Sequence, residues 1–332
     1  MVNRDLVPIA VALLLFDSDL RRVIRDTGSL FLCFLVGAVA TIVGTFIAFP
    51  LVPMTSLGNN EGWKIASALA ARHIGGAVNF IAVAETLGVS GSSVSAAVAA
   101  DNVVIALYFA WLFYSSTEGE KELSSVAVKQ SAEDITIGEA AVESDSSSSN
   151  ISLMSLSTSI AISSLLMFTG KLMTKLFLPC GTSSLPMISL CAVVAATMFS
   201  KFFSRLSMTS TAVGVIFIQM FFAVSGAAGS IRTVIQKAPS LLLFSALQIA
   251  IHYATIMGVG KFIFKLDKNE LYIASNANVG GPTTAAAMAQ AKKWKRLVMP
   301  GLLVGIFGYA TATPLCLALA KFLPKMTLSA IH

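Results

Sequence analysis

The sequence predicts an all-α protein that crosses a membrane many times, and three observations carry that expectation. Hydrophobic residues make up 55% of the 332 and charged residues only 12%, where soluble domains carry about 25% charged residues. The apolar residues fall in long runs, and a spanning helix needs ~20 of them in succession, about 30 Å of hydrocarbon. Two of the runs carry an internal Gly-Gly pair in matching surroundings, so the chain reads as two structural repeats, each with one broken helix.

In chain order the apolar runs cover residues 6–16, 28–52, 63–87, 94–114, 151–178, 185–203, 211–228, 240–264, 271–291 and 297–323. The first is about half the length a span requires, and no signal-peptide pattern precedes it. Between the fourth and fifth runs lies a Ser-rich stretch with eight acids and two bases, too polar to order itself. The expected organisation is therefore a first membrane repeat over 1–114, an acidic linker over 115–150 and a second membrane repeat over 151–332. Outside the linker the chain has a net charge of +12, held in short segments between apolar runs. Such charges meet lipid headgroups and set topology, so the expected partner is membrane lipid and not nucleic acid. Trp63, Trp111 and Trp294 lie near run ends, where interfacial aromatics sit. Cys33, Cys180, Cys191 and Cys316 have neither metal-like nor paired spacing.

The repeat rests on two matches in the same order. Asp19-Leu-Arg-Arg-Val-Ile-Arg-Asp-Thr-Gly-Ser-Leu30 parallels Ser230-Ile-Arg-Thr-Val-Ile-Gln-Lys-Ala-Pro-Ser-Leu241. Lys64-Ile-Ala-Ser-Ala-Leu-Ala-Ala-Arg-His-Ile-Gly-Gly-Ala-Val-Asn79 parallels Leu271-Tyr-Ile-Ala-Ser-Asn-Ala-Asn-Val-Gly-Gly-Pro-Thr-Thr284, with Gly75-Gly76 on Gly280-Gly281. The second half has two full runs ahead of the matched region and the first half only the short one, so the N-terminus reads as truncated. If the Gly-Gly segments cross, the repeats are parallel; if they are re-entrant, the repeats are inverted. The Lys and Arg balance is nearly even either way, and inversion is preferred because transporters with unwound helices at the midplane commonly have it.

Gly-Gly inside an apolar helix lowers helix stability and permits dihedrals other residues avoid. Freed backbone groups are tolerated at membrane depth only against protein or a water-filled cavity. Arg72, His73 and Asn79 surround the first pair, with Glu85 two turns on. Asn276, Asn278, Thr283, Thr284 and Gln290 surround the second, and Pro282 reinforces the break. Helix N-termini after the glycines suit anions, and the carbonyl ends before them suit cations. The competing reading, that the glycines only let helices pack closely, fits a lone pair better than two loaded ones. Asp101-Asn102 lies near the middle of the fourth run, and a carboxylate at that depth marks an ion or proton pathway unless it only pairs with Arg72. The matching helix of the second half has no such acid. Gln219, Gln248 and His252 read as interhelical hydrogen-bonders.

These residues resemble a family of bacterial and plant multi-pass proteins known as domain of unknown function 819, on Arg72 to Asn79, Ala100-Asp-Asn102 and Ser275 to Thr284. The resemblance implies a place among cation/proton antiporters and bile-acid-type sodium symporters, with inverted repeats and broken helices near the substrate site. In such antiporters an acid on the helix after the first broken one binds the cation, a place like that of Asp101. Family members look longer at the N-terminus, and plant members carry plastid transit peptides, so a plastid membrane is an implied location.

The expected function is ion-coupled secondary transport of a small solute or ion, with Na+ or H+ as coupling ion. The expected substrate- or ion-binding set is Arg72, His73, Gly75, Gly76, Asn79, Asp101, Asn102, Asn276, Asn278, Gly280, Gly281, Thr283 and Thr284. The alternative is a membrane structural or assembly factor on a transporter fold. With no nucleotide motif, zinc spacing or nucleophile elbow, neither an enzyme nor a cofactor is expected.

Overall fold

The computed structural model describes residues 5–57, 61–116, 152–177, 183–228 and 231–329. Apart from its first two residues, the expected linker lies outside them. The described residues form α1 (Val7–Leu14), α2 (Leu20–Asp26), α3 (Ser29–Leu51), α4 (Gly62–Gly75), α5 (Ala77–Thr86), α6 (Gly91–Ser115) and α7 (Leu153–Phe177). There follow α8 (Leu185–Met198), α9 (Ser200–Ala228), α10 (Ile231–Gly258), α11 (Lys268–Gly280), α12 (Pro282–Ala291), α13 (Lys295–Leu319) and α14 (Leu323–Ser329). No strand occurs among the described residues.

Among the described residues, five helical stretches are long and apolar enough to cross a membrane: Ser29–Leu51, Gly91–Ser115, Leu153–Phe177, Gln236–Ile263 and Lys295–Met326. Their outward faces are apolar at helical spacing. On α3, Leu35, Val39, Val43 and Ile47 repeat every four residues and are exposed, and on α6 Val103, Leu107 and Trp111 do the same. Water would penalise such stripes, whereas lipid accepts them.

The short α1 is apolar all round and buried along its length, against α7 and α9. It is a plug in the packing, and Pro8 opens its first turn, where a missing N–H does no harm. The run over 185–203 divides differently from its apolar pattern. The helix stops at Met198, Phe199 leaves helical dihedrals at φ −116° and ψ 41°, and α9 starts at Ser200. Thr197, in the last turn of α8, holds this corner: its hydroxyl donates to the Ser18 carbonyl at 3.0 Å and accepts from Leu20 N–H at 3.3 Å.

Two groups of helices make up the packing. α1, α7, α8 and α9 pack on one another, while α10 lies between α3 and α6, and α4, α11 and α12 pack on α13. Every residue of α4 from Ile65 to Gly75 is buried, as is every residue of α11 from Leu271 to Gly280. The Gly-Gly segments are thus enclosed by protein, the setting in which non-helical backbone is tolerated at membrane depth.

Candidate functional site

α4 ends at Gly75, α5 begins at Ala77, and Gly76 between them has φ 76° and ψ −178°. α11 ends at Gly280, α12 begins at Pro282, and Gly281 has φ 90° and ψ −166°. Both dihedral pairs lie in a region that is essentially glycine-only. The hydrogen bonds correspond as well: Gly76 N–H donates to the Arg72 carbonyl at 2.7 Å, and Gly281 N–H to the Ala277 carbonyl at 3.0 Å.

The two interruptions meet on α13. A Cβ at Gly308 would lie 2.8 Å from the Ile74 carbonyl and 3.2 Å from Gly75 Cα, and one at Gly305 would lie 2.8 Å from Gly281 C. The Tyr309 ring stands between them, at 3.1 Å from a Cβ on Gly76 and 3.0 Å from one on Gly281. Within each pair the glycines therefore do different work. Gly75 and Gly280 make room for Ala312 and Phe109 respectively, and Gly76 and Gly281 supply the left-handed turn.

Beside the first interruption is a buried charged cluster. Arg72 and His73 occupy the last turn of α4, where the helix dipole favours cations. Arg72 Nε pairs with Asp101 Oδ2 at close range, and its terminal nitrogen donates to Asn102 Oδ1 at 2.7 Å. His73 Nε2 lies 2.9 Å from Asp101 Oδ1, which also accepts from the Ser245 hydroxyl. His73 Nδ1 lies 2.9 Å from Gln248 Oε1, and Gln248 Nε2 donates to Thr45 Oγ1 at 2.5 Å. Arg72 is 1% exposed, and His73, Asp101, Ser245 and Gln248 are wholly buried.

A second string joins this cluster through α3. Thr41 Oγ1 lies 3.1 Å from the His73 carbonyl, 3.2 Å from the Gly37 carbonyl and 2.9 Å from His252 Nδ1. Thr41 has one proton to give, so it either bonds a carbonyl and accepts from His252 Nδ1–H, or donates to His252 Nδ1. His252 Nε2 lies 2.9 Å from Ser275 Oγ, which also shares a hydrogen bond with the Tyr108 hydroxyl. The string ties α3, α6, α10 and α11 to the backbone of α4 just before its glycines.

The remaining expected residues divide. Asn79 holds the interruption closed: its amide donates to the Gly75 carbonyl at 2.6 Å, and its oxygen accepts from Thr313 N–H at 3.2 Å and Oγ1 at 2.6 Å. Thr284 donates to the Gly281 carbonyl at 3.2 Å, and Thr283 is half-buried. Asn276 donates to Met288 Sδ and Asn278 to the Phe34 carbonyl, each at 3.4 Å. The side-chain oxygens of both asparagines are buried without a hydrogen-bond donor among the described residues. Gln290 is exposed at the end of α12, away from such burial. Ser245, Thr41, Thr45, Tyr108, Ser275 and Tyr309 complete the site without having been singled out from sequence. The signal for Ser245 was its stripe: Ser245, Gln248 and His252 fall on one face of an apolar helix.

At one end, Glu61 ties the start of α4 to α6 and α10. It accepts from Ser90 N–H at 2.8 Å, Ser90 Oγ at 3.0 Å and the Ser93 hydroxyl, with Lys237 Nζ 3.7 Å away. Burial works against its charge, but the bonds from Ser93 and Ser90 and the Lys237 cation hold its carboxyl below the usual range. Among the described residues no group of His, Cys, Asp and Glu could hold a metal ion.

The family described as "Protein of unknown function (DUF819)" matches residues 1–326. The chain belongs to that family. It is 33% identical over 324 residues to "Uncharacterized membrane protein YjcL" of Bacillus subtilis (strain 168), across 91% of this chain and 78% of that relative. Family and relative agree with the apolar faces of the helices: this is a multi-helical membrane protein of an uncharacterised family.

Proposed function

We propose that the protein is an ion-coupled secondary transporter of a small solute or ion, with its site where α4–α5 and α11–α12 meet on α13. The observation that carries the reading is a buried Arg72–Asp101–His73 cluster, in which Arg72 and His73 from the last turn before one interruption meet Asp101 of α6. Ionised groups at that depth are expensive and mark ion or proton pathways by default. The matched conformations of Gly76 and Gly281 support reading the halves as repeats, taken as inverted, that cross at their interrupted helices. In this reading the cluster couples to H+ or Na+, and the buried oxygen of Asn276, with the first N–H groups of α5 and α12, faces the transported species, while the Asn278 oxygen is seated against Gly37 of α3.

The test is reconstitution of the full chain in liposomes with a trapped pH indicator, challenged with monovalent cations and small organic anions. Solute-dependent proton or cation movement is expected, and it should vanish in Asp101→Asn/Arg72→Gln, which removes both charges together. A folded wild-type chain that moves nothing in the panel would favour the membrane structural or assembly factor instead.

A further inference from the structure

We infer that the exchangeable proton of the cluster resides on His73, with Asp101 ionised throughout and the Gln248 amide reporting the proton to α3. The coupling role rests on the transporter reading; the protonation chemistry does not. The hydrogen-bond inventory carries the argument. An ionised carboxylate and an amide oxygen can only accept, and they face the two nitrogens of one imidazole, each at 2.9 Å. Both bonds form together only when the ring is an imidazolium. Asp101 is already held by Arg72 and Ser245, so a counter-charge remains for Arg72 whether or not His73 is charged.

The neutral state is equally well provided for. When the Nδ1–H bond breaks, the proton passes to water and the electron pair stays on Nδ1, facing an oxygen. Turning the Gln248 amide over presents its N–H to Nδ1 and its oxygen to Thr45. The Thr45 hydroxyl, which donates to the Thr41 carbonyl at 2.8 Å in the charged state, then donates to Gln248. Thr41 O keeps its bond within the helix, so the only loss is one extra bond to an already paired carbonyl. Protonation on α4 is thereby written into α10 and α3.

The groups turned toward His73 fit this assignment. α4 brings Arg72, and α6 brings Asp101, with Tyr108 farther along through Ser275. α10 brings Gln248 and His252, the latter bridged through Thr41 on one nitrogen and bonded to Ser275 on the other. α3 contributes the hydroxyls of Thr41 and Thr45, α11 that of Ser275, and α13 brings Tyr309 to the neighbouring glycines. His73, Asp101, Ser245 and Gln248 are wholly buried, whereas Asn102 beside Arg72 is half-buried.

The chain has three histidines, so nitrogen NMR of the full chain in nanodiscs, labelled at histidine, resolves them, with His252→Asn and His332→Ala as assignment variants. From about pH 5 to about pH 9 His73 should pass from imidazolium to the Nε2–H tautomer. The carboxyl carbon of Asp101 should stay at its ionised position. Gln248→Glu, which can only accept when ionised, should raise the His73 midpoint by at least about one pH unit, and Gln248→Leu should lower it. A His73 that stays neutral across the range, a protonating Asp101, or a midpoint indifferent to both Gln248 changes would overturn the inference. Titration as stated without solute movement would defeat the transporter reading alone, and transport with a silent His73 would defeat the inference alone.

Discussion

Asp101 is the residue on which most of the buried charge depends. It is the shared anion of Arg72 and His73, so Asp101→Asn leaves a buried guanidinium without its counter-ion. Breaking a buried pair from one side costs about 3–5 kcal/mol, and removing both partners restores much of it. Asp101→Asn should therefore lower the thermal midpoint in detergent, and Asp101→Asn/Arg72→Gln should recover it. A single variant as stable as the wild type would mean that Asp101 carries no structural charge. The glycines allow a second prediction. Alanine at Gly76 or Gly281 would hold an L side chain in a glycine-only region, at roughly 1–3 kcal/mol, and its methyl would press on Tyr309 from 3.1 or 3.0 Å. Trimming the ring with Tyr309→Leu should relieve the contact and leave the dihedral strain, so the double variant should recover only part of the loss. Recovery in full would assign the whole effect to packing.

At the scale of elements, the Glu61 junction holds the start of α4 on α6 and α10, and its stability should depend on pH. Its carboxyl is held below its usual value, so its contribution is present above about pH 4.5 and is lost as pH falls through the depressed value. Glu61→Gln should lose about 1 kcal/mol at neutral pH, and the two stabilities should converge under acid; a constant difference across pH would exclude the carboxylate as its source. The elements also separate what a sequence reading reaches from what it does not. Gly-Gly pairs and Asp101 stand out because each violates the rule of an apolar helix. Thr41 and Thr45 do not, because threonines in such helices commonly bond their own preceding carbonyls, as Thr45 does here, and residue type alone gives no hint of a partner across the bundle. Ser245, Gln248 and His252 were legible as a stripe, yet the ring they would meet depends on how α10 lies against α4. Gly301, Gly305 and Gly308 on α13 read as ordinary small residues until the interrupted segments are seen resting on the last two. The boundary at Phe199 escaped because hydropathy runs on through it, and only the Thr197 corner turns the chain.

For the molecule as a whole, the helices before and after residues 115–150 do not form separate bodies. α10 packs into the angle between α3 and α6, α11 lies on α3, and α4 lies on α13, so the deepest contacts join helices from opposite sides of the linker. The buried charged cluster is shared in the same way: Arg72, His73 and Asp101 come from the first part, Ser245 and Gln248 from the second. Either part alone would expose the buried polar groups that the other satisfies, and unsatisfied groups in hydrocarbon cost several kcal/mol each. Two chains, 1–130 and 131–332, expressed separately should therefore aggregate or be degraded, and co-expressed they should co-purify as one species. Asp101→Asn in the first chain should weaken that association, because Ser245 then meets an amide and Arg72 lacks its counter-ion. If each chain is monodisperse alone and the mixture shows no association, the parts are independent folding units, and the packing of α10 between α3 and α6 is not what holds the molecule together.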